Sequence, residues 1–67
     1  MEFIRVYDLL QVIEGDDRVC IDLPGKSSGV GFVHDFRRDL SDEFLNARVT
    51  CVWRSQYSKI VIEAEVI

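Results

Sequence analysis

The residues of this chain best suited to binding chemistry are cations and aromatic side chains near its C-terminal end. Trp53, Arg54, Tyr57 and Lys59 lie close together in the sequence. If residues 55 to 58 form a hairpin loop, Arg54 and Lys59 become cross-strand neighbours, and opposed like charges cost stability. A phosphate or carboxylate between them removes that cost, and guanidinium and indole planes stack on a nucleobase. We therefore predict a ligand site at this tip; the alternative is that both cations extend into water.

A second basic pair, Arg37 and Arg38, follows a segment whose alternating pattern predicts a strand over residues 30 to 36. Guanidinium groups bind phosphate oxygens through paired hydrogen bonds. We therefore add this pair to the predicted ligand-binding residues. The complete predicted set is Arg37, Arg38, Trp53, Arg54, Tyr57 and Lys59.

The single histidine, His34, has acidic residues after it between positions 35 and 42, which raises the question of a general base or a metal site. On a strand, His34 and Asp35 point to opposite faces, and a metal needs further ligands from elsewhere. His34 shares its predicted face with Phe32 and Phe36, so we expect a packed or edge histidine. We predict no metal site and no catalytic residue here.

The segment Gly25-Lys26-Ser27 is similar to the end of a phosphate-binding P-loop. The first glycine of that motif would fall at Cys20, and a strand rather than a helix follows. We predict instead that Pro24 to Gly29 is a solvent-exposed hairpin loop, whose backbone N–H groups and Lys26 can still contact an anion. No nucleophile with an adjacent base occurs in the chain, so we expect neither enzymatic activity nor a cofactor.

The elements that position these residues follow from hydrophobic spacing. Helical spacing predicts a first helix that Gly15 ends, with an apolar face formed by Val6, Leu9, Leu10 and Ile13. Alternation predicts strands over residues 18–23, 30–36, 48–54 and 59–66. Capping candidates and early acids predict a short connecting helix within residues 39–46. The order αββαββ predicts an α+β fold: one domain, 1–67, with a small, mostly antiparallel sheet of about four strands.

The last hairpin also predicts its own register, because alternation places aromatic and aliphatic residues on one face. An ion pair closes its open end. The predicted opposite residues are Arg54 with Lys59, Trp53 with Ile60, Cys51 with Ile62, Val49 with Ala64 and Arg48 with Glu65.

Composition bears on partners and location. An apolar content of 48% is high for 67 residues, which predicts a homo-oligomer that buries the excess; the alternative is a monomer with a partly apolar surface. A formal charge of −4 disfavours direct nucleic-acid binding and anionic membranes, but it suits a basic protein partner. No signal-peptide layout or long apolar run occurs, so we expect a cytoplasmic protein. Cys20 and Cys51 fall inside predicted strands, where we expect reduced thiols that pack.

Most of the chain resembles short accessory proteins of unknown function carried by phages and prophages of Firmicutes. The similar segments are Val6 to Ile13 with its acidic turn, Leu40 to Ala47, Val49 to Val52 and Ile60 to Glu63. The resemblance transfers no catalytic residue. It implies a protein that acts by binding in the host cytoplasm, as do anti-CRISPR proteins and sponges that sequester the nucleotide signals of host immunity.

Two function classes therefore remain open. The first is a homo-oligomer that inhibits a host defence system, either by holding a nucleotide signal at subunit junctions or by covering an effector protein. The second is an acidic protein–protein inhibitor or regulator that covers a basic groove of an effector. Its candidate surface consists of Asp16, Asp17, Asp39, Asp42 and Glu43. A structural or assembly component of a phage is a further alternative.

Overall fold

The computed structural model describes residues 3–57 and 59–67 and confirms the α+β fold class. Ser58, which belongs to the predicted hairpin loop, lies outside the described residues. Two short helices connect the hairpins where the sequence predicted one. The elements in chain order are α1 Val6–Val12, β1 Arg18–Leu23, β2 Lys26–Phe32, α2 Val33–Asp39, α3 Asp42–Leu45, β3 Arg48–Arg54 and β4 Ile60–Glu65. None of the helices in the described ranges is long and apolar enough to cross a membrane.

The four strands form one sheet in the order β2-β1-β4-β3. Strands β1 and β4 are parallel neighbours in the centre, and each pairs on its other side with its own hairpin partner in the antiparallel sense. Both central strands carry the largest share of buried residues, whereas β3 is exposed along most of its length. The two edges of the sheet are therefore β2 and β3.

The three helices pack on one side of the sheet, which we call the covered face. Val19, Ile21 and Leu23 alternate along β1 towards this side and are buried. Helix α1 adds Val6 and Leu10, which have no exposed surface. The core is completed by Val33, Phe44, Ala47, Ile62 and Ala64.

The predicted loop from Pro24 to Gly29 is wrong in extent, because only Pro24 and Gly25 lie outside the strands. Gly25 has a φ of 83°, which suits the second central residue of a tight turn. Strand β2 then contains a bulge, where Gly29 has a φ of 73°. The Ser28 hydroxyl accepts a hydrogen bond from the backbone N–H of Ile21 at 2.9 Å. The polar Ser-Gly sequence therefore builds a strand rather than a flexible loop.

The predicted strand over residues 30–36 is also wrong beyond Phe32, because α2 begins at Val33. Val33 is fully buried, and Phe36 and Leu40 pack against the core from the same side of α2. Their spacing is helical, and it competes with the alternating pattern in the same residues. A Cβ atom at Gly31 would lie 2.7 Å from the Phe36 ring, so the absence of a side chain there lets α2 fold back onto β2.

The predicted register of the last hairpin is confirmed at its open end. Arg48 lies opposite Glu65 and forms an ion pair with it, and Val49 lies opposite Ala64. A bulge follows between Val49 and Cys51. An extra residue in one strand shifts all later pairs by one position, so the predicted pairing fails towards the tip.

The observed pairs beyond the bulge are Cys51 with Glu63, Val52 with Ile62, Trp53 with Val61 and Arg54 with Ile60. The predicted pairs of Cys51 with Ile62, Trp53 with Ile60 and Arg54 with Lys59 are therefore wrong. The physical reason is the extra residue of the bulge: it places Val49 and Val52 both on the helix side of β3, opposite Ala64 and Ile62, where Val49 packs against the core and Val52 stays 48% exposed. Cys51 and Trp53 consequently lie on the side without helices.

Candidate functional site

Four of the six predicted ligand-binding residues surround one groove of about 430 Å³ at the end of the last hairpin. We call it the tip groove. Its lining consists of Trp53, Arg54, Ser55, Gln56, Tyr57 and Lys59. The loop that forms it is held by a hydrogen bond from the backbone N–H of Ser55 to the carbonyl of Lys59, at 2.9 Å. The structure therefore places four of the six predicted residues around one groove.

The charge conflict that motivated this site is not present in the structure. Arg54 lies opposite Ile60 rather than Lys59, and Lys59 precedes the first residue of β4. The two cations therefore border the same groove without being cross-strand neighbours.

Trp53 and Tyr57 supply the aromatic surface of the tip groove. Tyr57 is 72% exposed, and its backbone N–H donates to the Ser55 hydroxyl at 3.2 Å. The Trp53 indole donates from Nε1 to Glu63 Oε2 at 2.6 Å, which fixes the direction of the ring along the sheet. One aromatic ring is thus oriented by a hydrogen bond, and the other projects from the loop.

A second groove, of about 330 Å³, adjoins the tip groove through Trp53 and Arg54. It lies where α1 stops short of the β3 edge, so that Leu9, Ile13 and Val52 are incompletely covered. Its lining is mainly apolar. Together the two grooves form a continuous surface with cations at the tip and apolar side chains towards α1.

Arg37 lies outside both grooves and has a structural role. Its Nε donates to the carbonyl of Leu10 at 2.7 Å, and its Nη2 donates to the carbonyl of Ile13. These carbonyls belong to the C-terminal end of α1, where helical carbonyl groups have no partner within the helix. Arg37 therefore holds α1 to α2, and the sequence-based expectation that it closes a strand is wrong.

Arg38 is also on α2 and forms exposed ion pairs with Asp39 at 3.0 Å and Asp35 at 3.3 Å. The hydrogen bond from Arg38 lowers the pKa of the Asp39 carboxyl below its ordinary value. The same hydrogen bond, with the negative charge of Asp39, raises the pKa of Arg38. The predicted ligand set thus divides into four residues at the tip groove and two on α2.

His34 lies in the first turn of α2 rather than on a strand. Its Nδ1 donates to the carbonyl of Gly15 at 2.8 Å, and its ring stacks on Phe32 with centroids 5.6 Å apart. Its side chain is nevertheless 51% exposed, so His34 is an edge histidine rather than a packed one, and the predicted strand is wrong. Within residues 3–57 and 59–67, no group of histidine, cysteine and acidic side chains is arranged to hold a metal ion.

The side of the sheet opposite the helices, which we call the open face, was not recognised from the sequence. Strand pairing places Val30, Cys20, Val61 and Trp53 in one row across all four strands. We call it the middle row. Val61 is buried although no helix covers it, while Val30 and Trp53 are about half exposed. The alternation of Arg18, Cys20 and Asp22 along β1 was the available sequence signal.

The open face is electrically polarised along the strands. Arg18 begins β1 at one end, which we call the basic end, beside Phe32 of β2. Asp22 and Glu63 are paired neighbours at the other end, which we call the acidic end. A groove of about 320 Å³ at the acidic end is lined by both of these acids and by Glu65.

No family model, curated protein or solved structure matches this chain. The resemblance to phage accessory proteins therefore rests on the segments quoted for it. Two surfaces of this fold bear on function. One is the tip groove with the adjoining apolar groove, and the other is the open face.

Proposed function

We propose that this chain is a non-catalytic binding protein whose tip groove holds a small anionic ligand with a planar ring, of the nucleotide class. The tip groove carries this proposal, because it combines two cations and two aromatic rings in about 430 Å³. A nucleotide offers the complementary groups: phosphate oxygens for the cations and a base for the rings.

Charge supports this choice of ligand. The chain has a formal charge of −4, so an anion is repelled by the molecule as a whole. The residues that line the described part of the tip groove nevertheless include Arg54 and Lys59 and no carboxylate. Charges beyond about 8 Å are largely screened at physiological salt, so a ligand in the groove experiences the nearby side chains more strongly than the net charge of the chain.

Stacking supports the planar ring. Stacking of a base on an aromatic side chain is worth roughly 1 to 3 kcal/mol. The exposed ring of Tyr57 and the oriented indole of Trp53 both border the groove. The apolar groove towards Leu9 and Ile13 extends this surface for a larger ligand, such as a dinucleotide.

The resemblance to phage accessory proteins suggests a biological setting for such binding. In that setting the protein withdraws a nucleotide signal from a host defence system and so inhibits it. The protein acts by stoichiometric binding, and neither a cofactor nor a catalytic residue is required.

The second candidate, an acidic inhibitor that covers a basic groove of an effector, ranks lower because of the described ion pairs. Asp39 is paired with Arg38, and Glu43 with Lys26. Pairing reduces the charge that this surface offers to a basic partner. Asp16, Asp17 and Asp42 remain the acids through which such a partner would be contacted.

A thermal-shift panel of cyclic and linear nucleotides tests the proposal. A ligand at 100 times its Kd stabilises the folded state by about 2.7 kcal/mol, which raises the Tm of a domain of this size by roughly 10 to 20 °C. We expect Lys59→Ala and Tyr57→Ala to weaken the shift given by the active nucleotide. Arg38→Ala, which removes a cation that does not line the groove, is the matched control and should leave the shift unchanged.

Two results would contradict the proposal. One is a panel in which no nucleotide raises the Tm of the unmodified protein. The other is a nucleotide whose effect falls equally in Arg38→Ala and Lys59→Ala, because that would indicate a general charge effect rather than a site at the tip groove.

A further inference from the structure

The open face has no helix over it within the described residues, and it exposes apolar side chains on both of its outer strands, on either side of the buried Val61. In its middle row, Val30 is 53% exposed and Trp53 is 46% exposed, and Phe32 beside this row is 45% exposed. Large apolar side chains grouped on one exposed surface mark interaction sites in small proteins. The polarity of the face then indicates what the partner is.

We propose that the open face joins two copies of this chain, turned end for end, so that the basic end of each copy lies against the acidic end of the other. The occupant is a second copy because the face is complementary to itself. Arg18 at one end matches Asp22 and Glu63 at the other, with the middle row between them.

Two identical faces can be stacked around a two-fold axis in two simple ways. An axis parallel to the strands places like ends together, so that Arg18 meets Arg18 and Asp22 meets Asp22. An axis along the middle row reverses the strand direction, so that Arg18 of each copy meets Asp22 of the other. Opposed like charges are destabilising and opposite charges favourable, so the charge distribution selects the second arrangement.

The acidic end is shaped to receive the partner's arginine. Asp22 and Glu63 line the groove of about 320 Å³ there. Glu63 is held in place by the Trp53 indole, and Asp22 accepts a weak hydrogen bond from the Cys20 thiol at 3.5 Å. Both carboxylates are therefore positioned by residues of the middle row before a second copy arrives.

The edges of the sheet are less suited to a second copy than its open face. Extension of the sheet needs a regular row of unpaired backbone groups on an edge strand. Strand β2 is interrupted by the bulge at Gly29, and β3 by the bulge between Val49 and Cys51. Bulges at sheet edges are a common device against edge-to-edge pairing.

The size of the face predicts a weak dimer. Four strands about 4.8 Å apart and about 17 Å of strand length give a face on the order of 300 Å² per copy. The two copies together then bury about 600 Å² before protruding side chains are counted, which is less than the roughly 1,200 Å² of the smallest standard interfaces and is typical of a weak, transient contact. We therefore expect the dimer to dissociate in the micromolar range.

Sedimentation velocity from about 5 to 500 μM tests the proposal, because this range covers the dissociation constants of weak dimers. The unmodified chain should pass from monomer to dimer over this range. Arg18→Glu and Asp22→Arg should each weaken the dimer at least tenfold when alone. Their equimolar mixture should recover dimers, because the reversed charges then face each other. Arg38→Glu makes the same charge change on the helix side and should sediment as the unmodified chain does.

Cross-linking gives the orientation. An axis along the middle row places Cys20 opposite Cys20 of the second copy, whereas Cys51 lies off that row. A Cys51→Ser chain should therefore form a cross-linked dimer with a short bismaleimide, which adds one thiol across each of its two C=C bonds, and a Cys20→Ser chain should not.

A strict monomer at 500 μM would overturn the proposal, and so would a dimer that is indifferent to both charge reversals. Cross-linking through Cys51 alone would overturn the end-for-end orientation. The proposal does not depend on ligand binding at the tip groove, since a protein that dimerises but binds no nucleotide would contradict only the proposed function.

Discussion

The covered face and the open face belong to the same sheet but differ in what their residues can do. On the covered face, Val19, Ile21 and Ile62 are enclosed by the helices and have no exposed surface. On the open face, apolar side chains of the middle row lie between a basic and an acidic end. All helices of the described residues lie on one side of the sheet, so the buried core that stabilises the fold is on the covered face and the exposed apolar side chains of the sheet are on the open face.

The largest expected effect compares one residue from each face. Ile21→Ala removes fully buried methyl groups and should lower the free energy of unfolding by about 2 to 5 kcal/mol. Val30→Thr, on the open face, should change it by less than about 1 kcal/mol. Urea denaturation measures both free energies of unfolding, at a low micromolar protein concentration where the two variants are monomers. Equal losses in the two variants would contradict the division of roles between the faces.

A smaller effect is expected at Gly31, where the covered face meets α2. Gly31→Ala places a methyl group against the Phe36 ring, and overpacking of this kind costs about 1 to 3 kcal/mol. A second substitution, Phe36→Leu, removes the ring and should recover part of that loss. If the losses of stability in the two single variants simply add up in the double variant, the two residues are not in contact.

The attachment of α1 to α2 gives the next effect. Arg37→Met keeps the length of the side chain but removes its hydrogen bonds to the α1 carbonyls, at a cost of about 1 to 2 kcal/mol. Arg38→Met removes only exposed ion pairs, which water screens, and should cost clearly less than Arg37→Met. Thermal unfolding of both variants checks the difference. A larger loss of stability in Arg38→Met than in Arg37→Met would contradict this account, because the contact between α1 and α2 would then depend on Arg38.

The smallest effect is electrostatic and is confined to the exposed side of α2. The pKa of Asp39 should lie below its ordinary value, and Arg38→Gln should bring it back towards that value. Because the folded-state pKa is the lower one, this pair stabilises the fold above the ordinary pKa of an aspartate. The contribution is lost as the pH falls through the folded-state pKa. An NMR titration of the Asp39 carboxyl checks this; an unchanged pKa in Arg38→Gln would contradict the pairing.

The sequence predicted the fold class because its strongest patterns coincide with the core. Val6 and Leu10 of α1 and Val19, Ile21 and Leu23 of β1 all occupy the buried positions that their spacing indicates. The prediction failed where the apolar residues of one segment fit both the helical and the strand spacing. The alternating pattern that runs through Val33 to Phe36 predicts a strand. In the structure this segment is a helix, because a helix lets Val33 and Phe36 both pack against the core.

The bulge in β3 shows why the candidate site was only partly predictable. Either alternate set of β3 residues contains apolar side chains, so the pattern does not reveal that the bulge lets Val49 and Val52 share the covered face. The four tip residues still come together because they are close in the sequence. The polarity of the open face combines residues from all four strands, and it becomes visible only once the strand order is known.

The central claim is that the open face binds a second copy while the covered face only stabilises the fold. Trp53 is the single tryptophan, so its indole N–H gives one NMR signal from the middle row. We expect that signal to move as the protein concentration rises, while the methyl signals of Ile21 and Ile62 on the covered face stay fixed. An indole signal that does not move while the sedimenting mass doubles would contradict the claim, because the copies would then meet through another surface.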